Sequence, residues 1–405
     1  MIPPETFTRQ VERMDSSPPR LAIVTTHPVQ YYAPWFKLLS DRGKVKVKVF
    51  YTWGTGGIEN KFDPGFRKEI EWDLPLLEGY EHEFLENTAI KPGSHHFHGI
   101  ENPDLIKNVE AFGATCILVI GWAFKSHLRC IRHFKGKVPV YFRGDSTLLD
   151  EQKGLKTVIR RLALRWVYSH IDYAFYVGTN NKAYYKKHGL KEGQLIPAPH
   201  AVDNQRFISA AQKENGREKL RKELNISADD FVVLFAGKLE QKKNPFFMLE
   251  LAAEISDQGI VFLIVGNGEL EKQLHKAAGK NSQVKFLPFQ NQIRMPGVYA
   301  ASDLFILPST GPGETWGLAV NEAMACGLPV VVSGKVGGAV DLVKNNGIIF
   351  QHGELNKVID YIETLKNSAA QYAKTRKASF ARIKNFSFEQ IVDAIEHTVL
   401  QMQTN

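Results

Sequence analysis

"GETWGLAVNEAMACGLPV", residues 313–330, sets an apolar, helix-length run between two acidic side chains and ends it at Gly327 and Pro329. Glu314 stands just before the run and Glu322 lies just over one turn inside it. One carboxylate near a helix start complements the dipole there. Two of them around small apolar residues form a pair of acceptors suited to hydroxyl groups. The run is preceded by "LFILPS" (304–309) and followed by "PVVVS" (329–333), both strand-like. Strand, glycine-rich loop, helix and strand in this order make a parallel crossover unit.

The same alternation extends in both directions. Strand-like runs in the first half are "LAIVTT" (21–26), "VKVKVFYTW" (45–53), "CILVIG" (116–121), "VPVYFR" (138–143) and "YAFYVG" (173–178). In the second half they are "FVVLFAG" (231–237), "IVFLIVG" (260–266), "VKFLPF" (284–289), the two already quoted and "GIIF" (347–350). Most are continuously apolar, as strands covered on both faces are. Helical stretches such as 153–169, 245–258 and 317–326 lie between them. This predicts an α/β protein of two Rossmann-like, doubly wound domains facing across a cleft. The polar stretch near 200–228 reads as the break between them. The expected organisation is a mobile tail over 1–18, a first domain over 19–203, a second over 204–385, and a helix over 386–405 that crosses back to the first.

Composition is that of a globular protein, with 43% hydrophobic and 23% charged residues among 405. The longest apolar runs are too short to span a bilayer, and the N-terminal stretch has no apolar core of the secretory type. Three cysteines without paired spacing suggest core residues in a reducing compartment, so a cytoplasmic location is expected. Residues 121–190 hold 14 basic against 4 acidic side chains. Such a face suits phosphate, anionic lipid or nucleic acid, or is a solvated helix surface. Within it, "KGLKTVIRRLALRWVY" (153–168) is amphipathic and either lies on the inner face of an anionic membrane or packs on the first sheet. "SHHFHG" (94–99) lacks a carboxylate or cysteine at ligand spacing, so no metal is expected. No Asp-x-Asp pair is present either.

Ligands of open α/β sheets bind beyond the carboxyl ends of strands. "AGKLEQKKNP" (236–245) places Gly237, Lys238 and Lys243 there, a basic loop fit for a diphosphate. "VGNGEL" (265–270) places Gly266 in a strand-to-helix turn where backbone can approach a base or ribose. The helix opening at Gly317 or Leu318 turns free N–H groups to the same side. Gly337 and Gly338 open a further helix, with Asp341 in its first turn.

"ETWGLAVNEAMACGLPVVVS" (314–333) resembles the donor-site signature of retaining glycosyltransferases of family 4, which have the two-domain GT-B fold. "FAGKLEQKKNP", "IVGNGEL" and "VYAASDLFILPS" agree with family landmarks in order and spacing; the similarity is strong over roughly 195–350 and extends to the first half in outline. The resemblance implies that Glu322 accepts from the ribose hydroxyls of a nucleotide and Glu314 binds the donor sugar. It further implies that the N–H groups of Trp316, Gly317 and Leu318 face sugar or phosphate oxygens, and that Lys238 and Lys243 hold the diphosphate. It suggests transfer, with retention and without metal or cofactor, from a UDP- or GDP-linked sugar to a glycan or lipid-linked acceptor in bacterial polysaccharide or glycolipid assembly.

Two departures stand out. In place of the family's Gly-Gly loop after the first strand the chain has "TTHPVQYYAPW" (25–35), from which His27, Gln30 and Tyr31 are candidates to reach the cleft. Where many members carry a histidine after "VP", this chain has "VPVYFRGDST" (138–147), so Arg143 or Asp145 takes that place, to hold a phosphate, a sugar hydroxyl or each other. The acceptor is expected on the first domain, with "FDPGFRKEIEWDLPLLEGY" (62–80) as a sugar-binding loop. Rival readings are a sugar-nucleotide epimerase, a non-catalytic nucleotide-sugar sensor and a nucleic-acid binder.

Overall fold

The computed structural model describes residues 17–55, 61–63, 66, 68–70, 73–212 and 214–402. The expected tail, apart from its last two residues, and positions 64, 65, 67, 71 and 72 of the stretch 62–80 lie outside the described residues. Fifteen strands follow in chain order. The first nine are β1 (Arg20–Thr25), β2 (Lys46–Tyr51), β3 (Lys61–Asp63), β4 (Lys68–Ile70), β5 (Glu81–Phe84), β6 (Cys116–Ile120), β7 (Val140–Arg143), β8 (Tyr173–Tyr176) and β9 (Leu195–Pro197). The other six are β10 (Phe231–Ala236), β11 (Ile260–Val265), β12 (Val284–Leu287), β13 (Leu304–Leu307), β14 (Val330–Ser333) and β15 (Gly347–Phe350).

Two parallel sheets result, ordered β5-β2-β1-β6-β7-β8-β9 and β12-β11-β10-β13-β14-β15; β3 and β4 form a separate antiparallel hairpin. Every residue of β10 and β11 is buried, which accounts for their unbroken apolar sequence. In each sheet the winding reverses beside the central strand, between β1 and β6 in the first and between β10 and β13 in the second. Crevices open at such reversals, at the carboxyl ends of the strands. The fold is therefore GT-B: two doubly wound α/β lobes, with one crevice in each.

Several elements were not legible in the sequence. β5 reads EHEF and β9 is three residues long; both are edge strands, where one face or one rim stays wet. The polar stretch near 200–228 is not a plain break. It forms the helices Asn204–Ala211 and Glu214–Glu223 on the second lobe, with Phe207 and Leu220 turned into its core. Arg221 is also turned inward: its guanidinium donates to Asp303 at 2.6 Å and to four backbone carbonyls, while Asp303 accepts from Val232 N at 2.8 Å. The last helix, Phe388–Gln401, buries Ile391, Val392, Ile395 and Val399 against the first lobe. Arg42–Asp393 and Lys44–Glu396 ion pairs fasten its outer face.

The Arg221–Asp303 pair anchors the start of β13 and the linker helices together. Breaking a buried pair by removing one partner strands the other charge, at a cost of about 3–5 kcal/mol. Asp303→Ala is therefore expected to lower Tm sharply in thermal denaturation; an unchanged Tm would show that this network carries no stability.

Candidate active site

The strand ends of the two lobes face each other. β1 runs out into Thr26 and His27, and β10 into Gly237 and Lys238. Between them lies a cavity of about 360 Å³, lined by Gln30, Tyr31, Phe66, Gly266, Phe289 and Glu322 among others. It adjoins a second of about 650 Å³, lined by Asp145, His200, Lys243, Glu314, Gly317 and Leu318. His27, Tyr31, Gly237 and Lys238 line both, so the two are one continuous crevice between the lobes.

Glu322 stands inside the Leu318–Ala325 helix and is 4% exposed. Tyr299 donates to its Oε2 at 2.8 Å, and Tyr31, from the other lobe, donates to its Oε1 at 3.1 Å. Burial raises its carboxyl above the ordinary range, and the two hydroxyls and the charge of Arg206 pull it only partly back. The same burial, with the carboxylate beside them, holds both tyrosines well above their usual range and therefore neutral, as donors must be. Gly317 caps the helix at φ 91, in the left-handed region, and a Cβ there would meet Val336 at 2.7 Å. First-turn N–H groups lack the usual acceptor one turn back; Val320 N donates to the Gly317 carbonyl at 2.9 Å, and Leu318 and Ala319 line the larger cavity.

Glu314 lies in the loop before that helix and is nearly buried. It pairs with Lys243 and accepts from Ser309 Oγ at 3.1 Å. Two residues assigned to separate parts of a ligand thus hold each other. The Lys238 ammonium sits 5.0 Å from the Phe66 ring centre, and Phe66 meets Phe289 edge-on at 4.7 Å. The β3–β4 hairpin that carries Phe66 therefore reaches across to the second lobe, and Asp73 behind it accepts from Ile293 N at 3.0 Å. Of the stretch 62–80, read as a sugar-binding loop, Phe66 lines the 360 Å³ cavity.

At the end of β7 the two candidates separate. Arg143 is 1% exposed and donates to the carbonyls of Ala198 and Pro199 at 2.7 and 3.1 Å. It holds the loop that carries His200 and also lines the 650 Å³ cavity beside Asp145. Asp145 turns into the cleft. It accepts from Thr315 Oγ1 of the other lobe at 2.7 Å and lies 3.7 Å from His200 Nε2. Burial works to raise its carboxyl, but His200 and Thr315 outweigh that and pull it down to about 2. Burial keeps His200 below the ordinary imidazole range, against the pull of Asp145. Trp316 is a buried seal: its Nε1 donates to Asn321 at 2.9 Å and its ring packs on His200.

His27 bonds Thr26 at 2.9 Å and stacks edge-on with Trp53 at the mouth. The helix expected at Gly338 is a single turn, Ala339–Leu342, and Asp341 accepts from Thr179 N and Oγ1 rather than facing the cleft. Of "SHHFHG", His98 pairs with Glu101 at the surface, and among the described residues no group of three or more His, Cys, Asp or Glu could hold a metal. Tyr299, His200 and Thr315 are site residues that sequence reasoning passed over. Tyr299 and Thr315 lie within the quoted "VYAASD" and "GETW" segments, but a tyrosine before "AASD" reads as core and a threonine beside Trp316 reads as a loop residue.

A family match falls on the second lobe. Residues 216–382 match the family model for glycosyl transferases group 1. The chain is 29% identical over 217 residues to a UDP-Gal:alpha-D-GlcNAc-diphosphoundecaprenol alpha-1,3-galactosyltransferase of Escherichia coli, covering 51% of this chain and 54% of that one. It is 28% identical over 228 residues to a D-inositol 3-phosphate glycosyltransferase of Rhodococcus erythropolis, covering 53% and 50%. The chain thus spans about half the length of the curated relatives it matches. In fold it is similar to Anabaena HepE solved in complex with UDP and glucose (TM-score 0.66, 20% identity, 94% of this chain and 99% of that one). It is also similar to WaaG, a glycosyltransferase involved in lipopolysaccharide biosynthesis (TM-score 0.64, 14% identity, 94% and 99%).

The crevice floor depends on close backbone approach. A Cβ at Gly266, whose φ is 137, would stand 2.0 Å from the Gly237 carbonyl oxygen. Gly266→Ala must push the ends of β10 and β11 apart, a strain of about 1–3 kcal/mol. Differential scanning calorimetry should show a lowered Tm; a variant as stable as the parent would mean that the two strand ends are not in contact.

Proposed function

We propose that the chain is a retaining glycosyltransferase that moves a sugar from a uridine diphosphate carrier to a hydroxyl of a glycan or lipid-linked glycan, in the cytoplasm, at the inner membrane face. The observation that carries this reading is Glu322. A buried carboxylate with both oxygens already accepting from hydroxyls, at the wall of a cavity of nucleoside size, is built to take a diol. Support comes from the group 1 match over 216–382 and from the similar fold of HepE with UDP. The galactosyltransferase relative, named for a UDP-linked donor and a diphosphoundecaprenol-linked acceptor, points to the same donor and acceptor classes.

In this reading the nucleoside fills the smaller cavity, with ribose hydroxyls donating to Glu322 and the base lying against Phe289. The diphosphate lies across Gly237, Lys238 and the first-turn N–H groups of the Leu318–Ala325 helix. The sugar enters the larger cavity, where Glu314 and Asp145 accept from its hydroxyls. As the bond from the anomeric carbon to the phosphate oxygen breaks, negative charge gathers on the diphosphate. Lys238, Lys243 and the helix dipole stabilise it, so the protein's own cations supply the charge for a metal-independent reaction. The acceptor oxygen attacks from the face the diphosphate leaves, and its proton passes to a phosphate oxygen. The configuration at the anomeric carbon is thereby retained.

A panel of nucleotide sugars in a thermal-shift assay is the direct test, followed by incubation with lipid-diphosphate and glycan acceptors and NMR of the product anomer. UDP-sugars should raise Tm, Glu322→Ala should abolish that rise, and the product should keep the donor's anomeric configuration. Stabilisation that survives Glu322→Ala, or conversion of the donor sugar without an acceptor, would contradict the proposal.

Tyr31 occupies one of the places a ribose hydroxyl would take. Removing its hydroxyl leaves one carboxylate oxygen of Glu322 with an unmet acceptor that the donor can satisfy. Tyr31→Phe is expected to tighten UDP binding by roughly five- to tenfold in isothermal titration calorimetry. Weaker binding would make Tyr31 a donor contact rather than a competitor.

A further inference from the structure

A further cavity, of about 600 Å³, lies on the second lobe beyond the carboxyl ends of β13, β14 and β15. It shares no lining residue with the interlobe crevice, yet the two have a common wall. Along the turn Gln241–Lys243 and its flanks, Glu240, Lys242 and Lys243 line the crevice, whereas Gln241 and Asn244 line this cavity. After β13, Ser309 and Thr310 line this cavity and Glu314 lines the crevice. Thr310 N donates to the Lys242 carbonyl at 2.9 Å and joins the two loops.

The lining identifies a ligand class. Gln241, Asn244 and Gln351 bring three side-chain amides, none of them engaged in a hydrogen bond among the described residues. Ser309, Thr310 and Ser333 bring hydroxyls, and Phe247, Pro308 and Phe350 bring apolar surface. The one lysine of the lining, Lys335, is turned to the first lobe: its ammonium donates to the Leu149 carbonyl at 3.2 Å and lies 3.6 Å from Asp150. Glu250 adds a carboxylate. An anionic ligand would therefore meet a carboxylate and a lysine already paired, and a purely apolar one would strand the amides. Amides and hydroxyls both donate and accept, as sugar hydroxyls do, and the C–H face of a pyranose suits the apolar surface. The volume is within the range of small-ligand pockets, about 300–1,000 Å³.

We infer that this cavity is a second saccharide site, taking a neutral mono- or disaccharide, and that Ser309 couples it to the crevice. Binding there stands by itself; the coupling rests on the transfer reading. Ser309 is 1% exposed, its Oγ donates to Glu314 Oε2 at 3.1 Å, and its carbonyl accepts from Ser333 Oγ. A sugar hydroxyl that donates to Ser309 Oγ leaves the serine proton on Glu314 and strengthens it as a donor. A sugar held by Gln241 also orders the turn that carries Lys243. Both members of the Lys243–Glu314 pair are thus one step from this ligand. Ordering supplied by the saccharide is not required again from the donor, so each ligand tightens the other by the same factor.

Saturation-transfer NMR of the full chain with galactose, N-acetylglucosamine and lactose tests the site. At least one of them should bind, with UDP present or absent, and equally well to Asp145→Ala, which alters the crevice. The double variant Gln241→Ala, Gln351→Ala changes exposed side chains outside the crevice. It should keep its Tm and its UDP affinity while saccharide affinity falls by about tenfold or more. In isothermal titration calorimetry the bound saccharide should tighten UDP about fivefold in the parent. Ser309→Ala should still bind saccharide and lose that shift. No signal from any of the three sugars, signals lost in Asp145→Ala but kept in the double variant, or tighter binding of inorganic phosphate than of any sugar overturns the site. A UDP affinity indifferent to saccharide overturns the coupling. Because the sugar titration needs no nucleotide, its failure leaves the transfer reading intact. A UDP response that survives Glu322→Ala contradicts that reading and leaves the saccharide site standing.

Discussion

A carboxylate buried where two lobes meet is the constraint from which the rest of the site follows. A charge at the position of Glu322 is tolerated only if its oxygens are satisfied, and the chain satisfies them from both sides: Tyr299 from within the second lobe and Tyr31 from the first. That arrangement makes the empty crevice self-consistent and makes a diol the natural replacement for one of the tyrosines. It also ties domain contact to ligand binding, because one of the two hydroxyls belongs to the lobe that must move if the crevice opens. The Lys243–Glu314 pair repeats the pattern in the larger cavity. There a cation and an anion, assigned to different parts of a sugar diphosphate in the proposed reading, neutralise each other.

The second lobe is largely legible in the sequence. Its central strands are apolar throughout because both faces are covered, and its site residues stand in the loops and helices that follow those strands, so sequence order and spatial order coincide. Glu322, Glu314, Lys238 and Lys243 all line the crevice for that reason. The first lobe was harder. Its contributions come from residues whose neighbours in space are distant in sequence: Tyr31 meets Glu322 across 291 positions, and Asp145 meets Thr315 across 170. His200 follows a short edge strand that carries almost no periodic signal. Both candidates at the end of β7 line the larger cavity; the carbonyls of Ala198 and Pro199 hold Arg143, while Asp145 bonds across to Thr315.

The first lobe also reaches into its partner more than its outline suggests. The β3–β4 hairpin sets Phe66 against Phe289 and Lys238, so the smaller cavity has a wall supplied by each lobe. Thr315 and Asp145 close the larger one in the same way. A pocket built half from each lobe excludes water only when the lobes are together, which is what transfer to a hydroxyl other than water requires.

The most direct measurement is a crystal structure of the protein soaked or grown with UDP. The account predicts ribose hydroxyls within hydrogen-bond distance of Glu322, the diphosphate beside Lys238, and the Tyr31 hydroxyl displaced from the carboxylate. Uridine bound outside the interlobe crevice, or bound there with Glu322 still held by both tyrosines and out of reach of the ribose, would contradict it.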